Sequence, residues 1–126
     1  MTGTGATRVV PAAAAAVVRL GDAATQHVLL GGARDDGSPL LLGLTVVGPG
    51  RTTALIEHDI AEVAYVLAGS GWMVTDVDAL PFSAGDAVLI EPRGWHAIRA
   101  GEEEVRMVFV FPAPAPPPTR TAEVQP

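Results

Sequence analysis

The feature that most constrains this chain is a series of short apolar runs from Gly50 onward, separated by glycine, proline and acidic turn residues. Runs of about four to eight residues are long enough for strands and too short for ordinary helices. Helix-period segments are nearly absent. Many short strands with this punctuation are typical of a β-sandwich or a β-barrel. The predicted strands of this region cover residues 52–58, 62–67, 72–77, 87–90, 95–99 and 105–111.

The part of the chain before Gly50 gives weaker signals. Residues 27–30 and 40–47 are predicted to be strands because each is a short apolar run closed by glycine. The alanine-rich segment 11–20 fits either a short helix or an edge strand, since alanine favours helix and its neighbouring valines favour strand.

Three segments follow from these patterns. Residues 1–16 are expected to be flexible or exchanged between the subunits of a dimer. Residues 17–111 are expected to form a single all-β domain, which suits a chain of 126 residues with one core. Residues 112–126 are expected to be a disordered proline-rich tail, because their Pro-Ala repeat lacks core-forming side chains.

Composition excludes several kinds of chemistry and partner. The eight cationic side chains are all arginine, so no lysine is present to form a Schiff base. No cysteine is present, which excludes disulfides, thiol nucleophiles and cysteine-type zinc sites. The net charge of −6 argues against nucleic acid as a partner.

No run of 18 apolar residues occurs, so no membrane span is expected. Residues 9–18 could pass for a signal-peptide core, but Pro11 interrupts them and Arg19 closes them. A cytoplasmic location is therefore expected.

Two histidines and one glutamate lie where they could meet. His58 ends one predicted strand and Glu62 begins the next, and both share strand faces with apolar neighbours. His96 lies on a third predicted strand. A buried glutamate among alanine and valine is costly unless it is paired or bound to a metal. These residues therefore form either a metal site or a hydrogen-bonded His–Glu group.

The two stretches that carry these residues resemble the two sequence motifs of the cupin superfamily. The first motif is matched in register by Gly50, His58, Glu62 and Gly69, and the second by Gly85, Asp86 and His96, with its Pro-x-Gly turn displaced by one residue to Pro92 and Gly94. The resemblance covers about residues 40–111. It implies a cupin-type double-stranded β-helix, that is, a jelly-roll barrel, in a small single-domain cupin.

The resemblance also implies a divalent metal ion (Fe, Zn, Mn or Ni) held by His58, Glu62 and His96. The first metal histidine of the family falls on Ile56, which cannot ligate. The ligand set is therefore reduced to three residues, and the site either has more open positions or has lost its metal. The family proline falls on Glu91, which is either a catalytic acid–base group at the barrel mouth or a solvated turn residue.

Residues 62–71 and 96–112 also resemble matching segments of the ectoine synthase family, whose members are small cupins that close a ring by losing water. The metal glutamate and histidine of that family fall on Glu62 and His96, whereas its metal tyrosine falls on Val88. A related ring-closing or dehydrating reaction is implied.

Three functional hypotheses remain open. The first is a metal-dependent enzyme that performs cyclisation, dehydration or isomerisation on a small metabolite, with the metal as Lewis acid. The second is a non-heme iron dioxygenase, and the third is a metal-free small-molecule-binding module. A homodimer is expected, because residues 12–18 are apolar enough to pair with a second copy.

Overall fold

A computed structural model describes residues 5–122 of the chain, and in this part eleven strands account for most of the regular structure. Two short 3₁₀ turns, Ala12–Ala14 and Gly32–Arg34, are added to them. The strands are β1 Ala16–Leu20, β2 Ala24–Leu30, β3 Leu41–Val47, β4 Ile56–His58, β5 Glu62–Ala68, β6 Ser70–Val74, β7 Ala79–Ser83, β8 Ala87–Ile90, β9 Ala97–Ala100, β10 Val105–Phe111 and β11 Thr119–Thr121.

The strands form three antiparallel sheets. The largest has six strands in the order β1-β2-β3-β10-β5-β8, and a second has the order β7-β6-β9. The third consists only of β11 and β4. The non-consecutive neighbours show that the chain crosses repeatedly between the sheets, as in a jelly roll. The predicted all-β jelly-roll fold is therefore confirmed.

The core lies between the inner face of the six-stranded sheet and the β7-β6-β9 sheet, which contributes Met73, Phe82 and Ala100. Along β3 and β10 every second side chain is buried, because successive side chains of a strand point to opposite faces. Val47, Val66 and Val105 are completely shielded from solvent. Burying one such side chain stabilises the fold by about 1.5–3 kcal/mol.

Gly43 is required where β3 passes beneath an aromatic ring. A β-carbon at this position would lie 2.6 Å from the ring of Phe109. The absence of a side chain therefore leaves room for the Phe109 ring to approach the backbone of β3.

Strand boundaries differ from the predictions at several places, including β2, β6 and β9, and the differences are largest at β4 and β7. Residues 52–58 were predicted as one strand, but only Ile56–His58 is a strand, and Thr52 makes a single bridge to Arg99. Residues 78–81 were predicted as a turn, yet β7 begins at Ala79 and includes Pro81. Because β7 is an edge strand, the missing N–H of a proline costs little there.

The C-terminal segment also differs from expectation, whereas the expectation for residues 1–16 stays a prediction. Ala16–Leu20 is an edge strand paired with β2 of the same chain, and residues 1–4 of the predicted flexible segment lie outside the described part. The predicted disordered tail is ordered over residues 112–122: Thr119–Thr121 pairs with β4, and the Pro114 carbonyl accepts the N–H of Gly32 at 2.7 Å. Residues 123–126 lie outside the described residues.

Within residues 5–122, no helix has the length and the apolar character that a membrane crossing requires.

Candidate metal centre

His58, Glu62 and His96 converge on one point inside the barrel. His58 is the last residue of β4, Glu62 is the first of β5, and His96 lies immediately before β9. His58 is 2% exposed and His96 7%, while the Glu62 side chain is 14% exposed. One ligand atom from each residue lies within 4.8 Å of the others, which confirms the predicted convergence.

Both imidazoles approach the same carboxylate oxygen. The Nε2 atom of His58 lies 3.1 Å from Oε1 of Glu62, and Nε2 of His96 lies 3.5 Å from it. The two rings meet edge to face, with centroids 4.9 Å apart. Donor atoms bound to one tetrahedral ion through bonds of ~2.1 Å are separated by about 3.4 Å. The two distances to Glu62 are close to that value.

Backbone carbonyls fix the orientation of both rings. Nδ1 of His58 lies 3.0 Å from the Ile60 carbonyl oxygen, and Nδ1 of His96 lies 2.8 Å from that of Gly94. A carbonyl oxygen can only accept, so each Nδ1 carries the proton and donates it. The hydrogen bond from Nε2 of His58 to Glu62 requires a second proton on that ring. Once that proton is lost, as on metal binding, the Nε2 lone pair faces Glu62, as in metal-binding histidines whose other nitrogen donates to a carbonyl.

The turn that belongs to the second motif is hydrogen-bonded to β4, the strand of the first motif that ends at His58. The N–H of Arg93 donates to the His58 carbonyl oxygen at 2.7 Å. Arg93 adopts a left-handed conformation with φ of 64°, which is uncommon for a residue other than glycine. The predicted turn 92–94 thus links the backbone of one candidate ligand to the loop that precedes His96.

Charge interactions keep Glu62 ionised. Burial alone would raise the pKa of Glu62, but the hydrogen bonds and charges of His58 and His96 outweigh burial and lower that pKa. The hydrogen bond to Glu62 is in turn the main cause that raises the pKa of His58. The site therefore presents a carboxylate anion and two imidazole nitrogens, a set that suits a divalent first-row metal ion.

These three residues open into a cavity of about 570 Å³ with mainly apolar walls. A volume of this size is typical of small-molecule sites. Gln26 and Thr45, which are register partners on β2 and β3, add polar groups to the wall. Apolar lining residues include Ile56, Ala64, Met73, Ile90, Ile98, Met107, Phe109, Phe111, Pro116 and Pro117.

Ile56 lies in this cavity two residues before His58. Its N–H donates to the His96 carbonyl oxygen at 2.9 Å, and its own carbonyl oxygen accepts the N–H of His96 at 2.8 Å. The side chain lines the cavity together with the three candidate ligands. An aliphatic side chain without a donor atom thus lies in the same cavity as the three candidate ligands.

Glu91 lies elsewhere. It is exposed, and it lines a second cavity of about 470 Å³ rather than the one that contains His58 and Glu62. The two cavities share Met73, Ile90 and His96 as wall residues. The predicted acid–base role of Glu91 stays a prediction, and it would require access from this neighbouring cavity.

Sequence reasoning missed the contribution of the C-terminal residues to the site. Pro116, Pro117 and Thr119 line the larger cavity, although composition alone pointed to an unstructured tail. The signal that could have found them is the Thr-Arg-Thr run after the prolines, which has strand character and a cation opposite Glu57 and Asp59.

The fold and this group of side chains define a class: small jelly-roll barrels with a His-His-Glu group that could bind a metal at an internal cavity. Residues 43–111 match the Cupin_2 family model, described as a cupin domain. The match covers more than half of the sequence, so the chain belongs to the cupin family. The prediction that this chain is a small single-domain cupin is confirmed.

Solved structures show the same fold. The polyketide cyclase RemF from Streptomyces resistomycificus has a TM-score of 0.79 and 21% identity, over 95% of this chain and 88% of that one. A cupin 2 conserved barrel domain protein from Salinispora arenicola has a TM-score of 0.68 and 25% identity, over 85% and 89%.

Oxalate decarboxylase from Bacillus subtilis has a TM-score of 0.68 and 16% identity, over 79% of this chain and 28% of that one. Comparison with proteins of curated function finds no match.

Proposed function

We propose that the protein is a metal-dependent enzyme that cyclises, dehydrates or isomerises a small, largely apolar metabolite. One observation carries the proposal. Two Nε2 atoms, which can ligate when their rings are neutral, and an ionised carboxylate converge at the wall of an internal cavity large enough for a substrate. His58, Glu62 and His96 would hold the ion, and its identity among Fe, Zn, Mn and Ni is left to experiment.

A bound divalent ion would supply Lewis-acid polarisation of a substrate carbonyl, carboxylate or hydroxyl oxygen. The chain itself supplies the surroundings. Phe109, Phe111 and Met107 give an apolar wall that excludes water and holds a folded substrate. Gln26 and Thr45 offer an amide and a hydroxyl that can orient polar substituents.

The lining of the cavity favours a substrate without an anionic group remote from the metal. Among the residues that line it within the described part of the chain, none is an arginine, so apart from a bound metal ion no cation is available to a carboxylate or phosphate. The apolar residues instead favour a molecule with a substantial hydrocarbon part. The similarity in fold to a polyketide cyclase supports a ring-closing reaction within this proposal.

The first experiment measures metal in the purified protein. Wild-type protein and a Glu62→Ala variant are expressed in metal-supplemented medium and examined by elemental analysis. The wild type should hold about one ion per chain, and Glu62→Ala should hold less than about a tenth of that, because it loses the only anionic ligand. The β-sheet circular dichroism should persist.

Glu104→Ala provides the matched control. Glu104 is an exposed glutamate in the turn before β10 and lies outside the candidate site. Its removal should leave the metal content unchanged. A wild-type protein free of metal in every medium would contradict the proposal and favour the non-catalytic binding module.

A second candidate is a non-heme iron dioxygenase. The observation that favours it is the set of two histidines and one carboxylate beside Ile56, which leaves coordination positions free for both substrate and oxygen. Consumption of dioxygen that depends on ferrous iron and on an added metabolite would establish this activity, whereas turnover with zinc under anaerobic conditions would establish the non-redox one.

A further inference from the structure

Residues 112–122, here called the C-terminal strap, run from the end of β10 along one side of the larger cavity. The strap is attached at both ends: the Pro114 carbonyl oxygen accepts the N–H of Gly32, and the N–H of Ala122 donates to the Leu55 carbonyl oxygen at 2.9 Å. Between these points Pro116, Pro117 and Thr119 line the cavity. The strap is therefore a wall of the site.

The strap also completes the strand that carries His58. Within residues 5–122, β11 is the only strand that pairs with β4 over more than one residue, with Thr119 opposite His58 and Thr121 opposite Ile56. Because facing residues share a side of the ribbon, the two threonines lie on the side of the cavity. Arg120 and Glu57 face the other way.

Arg120 connects the strap to both neighbours of His58. Its guanidinium forms an ion pair with Glu57 through Nε and donates to Oδ1 of Asp59 at 2.7 Å. A guanidinium that binds two carboxylates through different nitrogens fixes its position more firmly than a single ion pair does. The same contact lowers the pKa of the Asp59 carboxyl.

We propose that Arg120 is the latch of the C-terminal strap. By holding β11 against β4 it closes this side of the cavity and keeps His58 and His96 shielded from solvent. Arg120 is then a positioning residue that controls access to the site. The proposal concerns the accessibility of the two rings, so it holds whether or not they bind a metal.

Both carboxylate partners lie outside the candidate ligand set. The Asp59 side chain is 56% exposed and the Arg120 side chain 49%, whereas the Glu57 side chain is 12% exposed, so salt weakens the contact with Asp59 more than the contact with Glu57. The backbone pairing of β11 with β4 spans only three residues. A short ribbon whose side-chain contacts can be screened is suited to opening and closing while the barrel stays folded.

The test measures how fast diethyl pyrocarbonate modifies each histidine of the full-length chain, treated with a chelator so that no metal protects the rings. Mass spectrometry of peptides separates His58 and His96 from His27, which lies on β2 and serves as the internal reference. Arg120→Ala should raise the rates at His58 and His96 by about 2- to 30-fold relative to His27, the range expected for losing one exposed and one partly buried ion pair.

Arg106→Ala is the matched control. Arg106 on β10 has a similarly exposed side chain and makes a comparable ion pair with Glu104, but it lies away from the strap. This variant should leave all three rates unchanged. Arg120→Lys keeps the charge but loses the fork of donors, so it should give rates between those of wild type and Arg120→Ala.

A second measurement needs no variant. Raising the salt concentration to about 1 M screens exposed ion pairs, so it should increase the wild-type rates at His58 and His96 relative to His27 and change little in Arg120→Ala. Equal rates in wild type and Arg120→Ala would overturn the proposal. An equal rise at all three histidines would also overturn it, because that result indicates general loosening of the barrel.

Discussion

Ile56 has the side chain that most directly limits what the candidate site can bind. It lines the cavity beside His58 and His96, but it offers no donor atom. We predict that Ile56→His supplies a fourth ligand and tightens metal binding by at least about tenfold, which corresponds to ~1.4 kcal/mol.

A competition titration with a chromophoric chelator measures this change. Ile56→Leu keeps the aliphatic character and serves as the control, with unchanged affinity expected. If Ile56→His and Ile56→Leu bind metal equally well, position 56 does not reach the first coordination shell.

The contact between His58 and Glu62 predicts how the stability of the metal-free protein depends on pH. The pKa of His58 is raised from its ordinary 6.5, so its stabilising contribution is complete below that value and is lost as pH rises through the raised pKa. The pKa of Glu62 is lowered from its ordinary 4.5, so its contribution is present above that value and is lost as pH falls through the lowered pKa.

Thermal unfolding of the metal-free protein should therefore show its highest midpoint between about pH 4.5 and 6.5, with lower values on both sides. Glu62→Gln removes the charge while keeping the shape, so its profile should be flatter across this window. An identical pH profile in wild type and Glu62→Gln, both measured with excess chelator, would contradict this prediction.

Most strands could be predicted from the local sequence, because the alternation of apolar and polar residues and the choice of turn residues depend on only a few neighbouring positions. The runs that became β3, β5, β8 and β10 were located within one or two residues, since each has strong apolar content and a clear turn at its ends. The convergence of His58, Glu62 and His96 was predictable because two motifs in register specify which strands meet.

The elements that local pattern missed are those fixed by distant contacts. β11 is a strand because β4 offers an unpaired edge and because Glu57 and Asp59 attract Arg120. The proline-rich composition around β11 does not indicate that its partner strand, β4, lies more than 60 residues earlier in the chain. β7 was missed because proline is typical of turns. Pro81 is tolerated in this strand only because β7 lies at the edge of its sheet.

The outer face of the six-stranded sheet exposes many apolar side chains. One register row runs across all six strands through Val17, His27, Leu44, Val108, Tyr65 and Ala87. Beside it Val63, Leu67 and Leu89 are 48%, 51% and 66% exposed. Apolar patches of this kind often mark an interface between subunits.

We therefore predict a homodimer that buries this face, with the exposed Val17 of the edge strand β1 contributing to it. Light scattering at micromolar concentration should give twice the mass of the chain. Leu89→Asp should shift the mass toward that of a monomer, whereas Leu80→Asp should not, since Leu80 is exposed on the other sheet. A monomeric wild type would refute the prediction.

The wall of the larger cavity lacks the side chains that form covalent adducts with carbonyl compounds most readily. Its polar and nucleophilic groups are hydroxyls, one amide, thioethers, imidazoles and the carboxylates of Asp22 and Glu62, and the whole sequence contains neither a lysine nor a cysteine side chain. Aldehydes, ketones and conjugated enones are captured in proteins mainly by amines and thiolates. An electrophilic carbonyl compound could thus remain in this cavity without being covalently trapped, so its fate would be set by its own conformation and by the site.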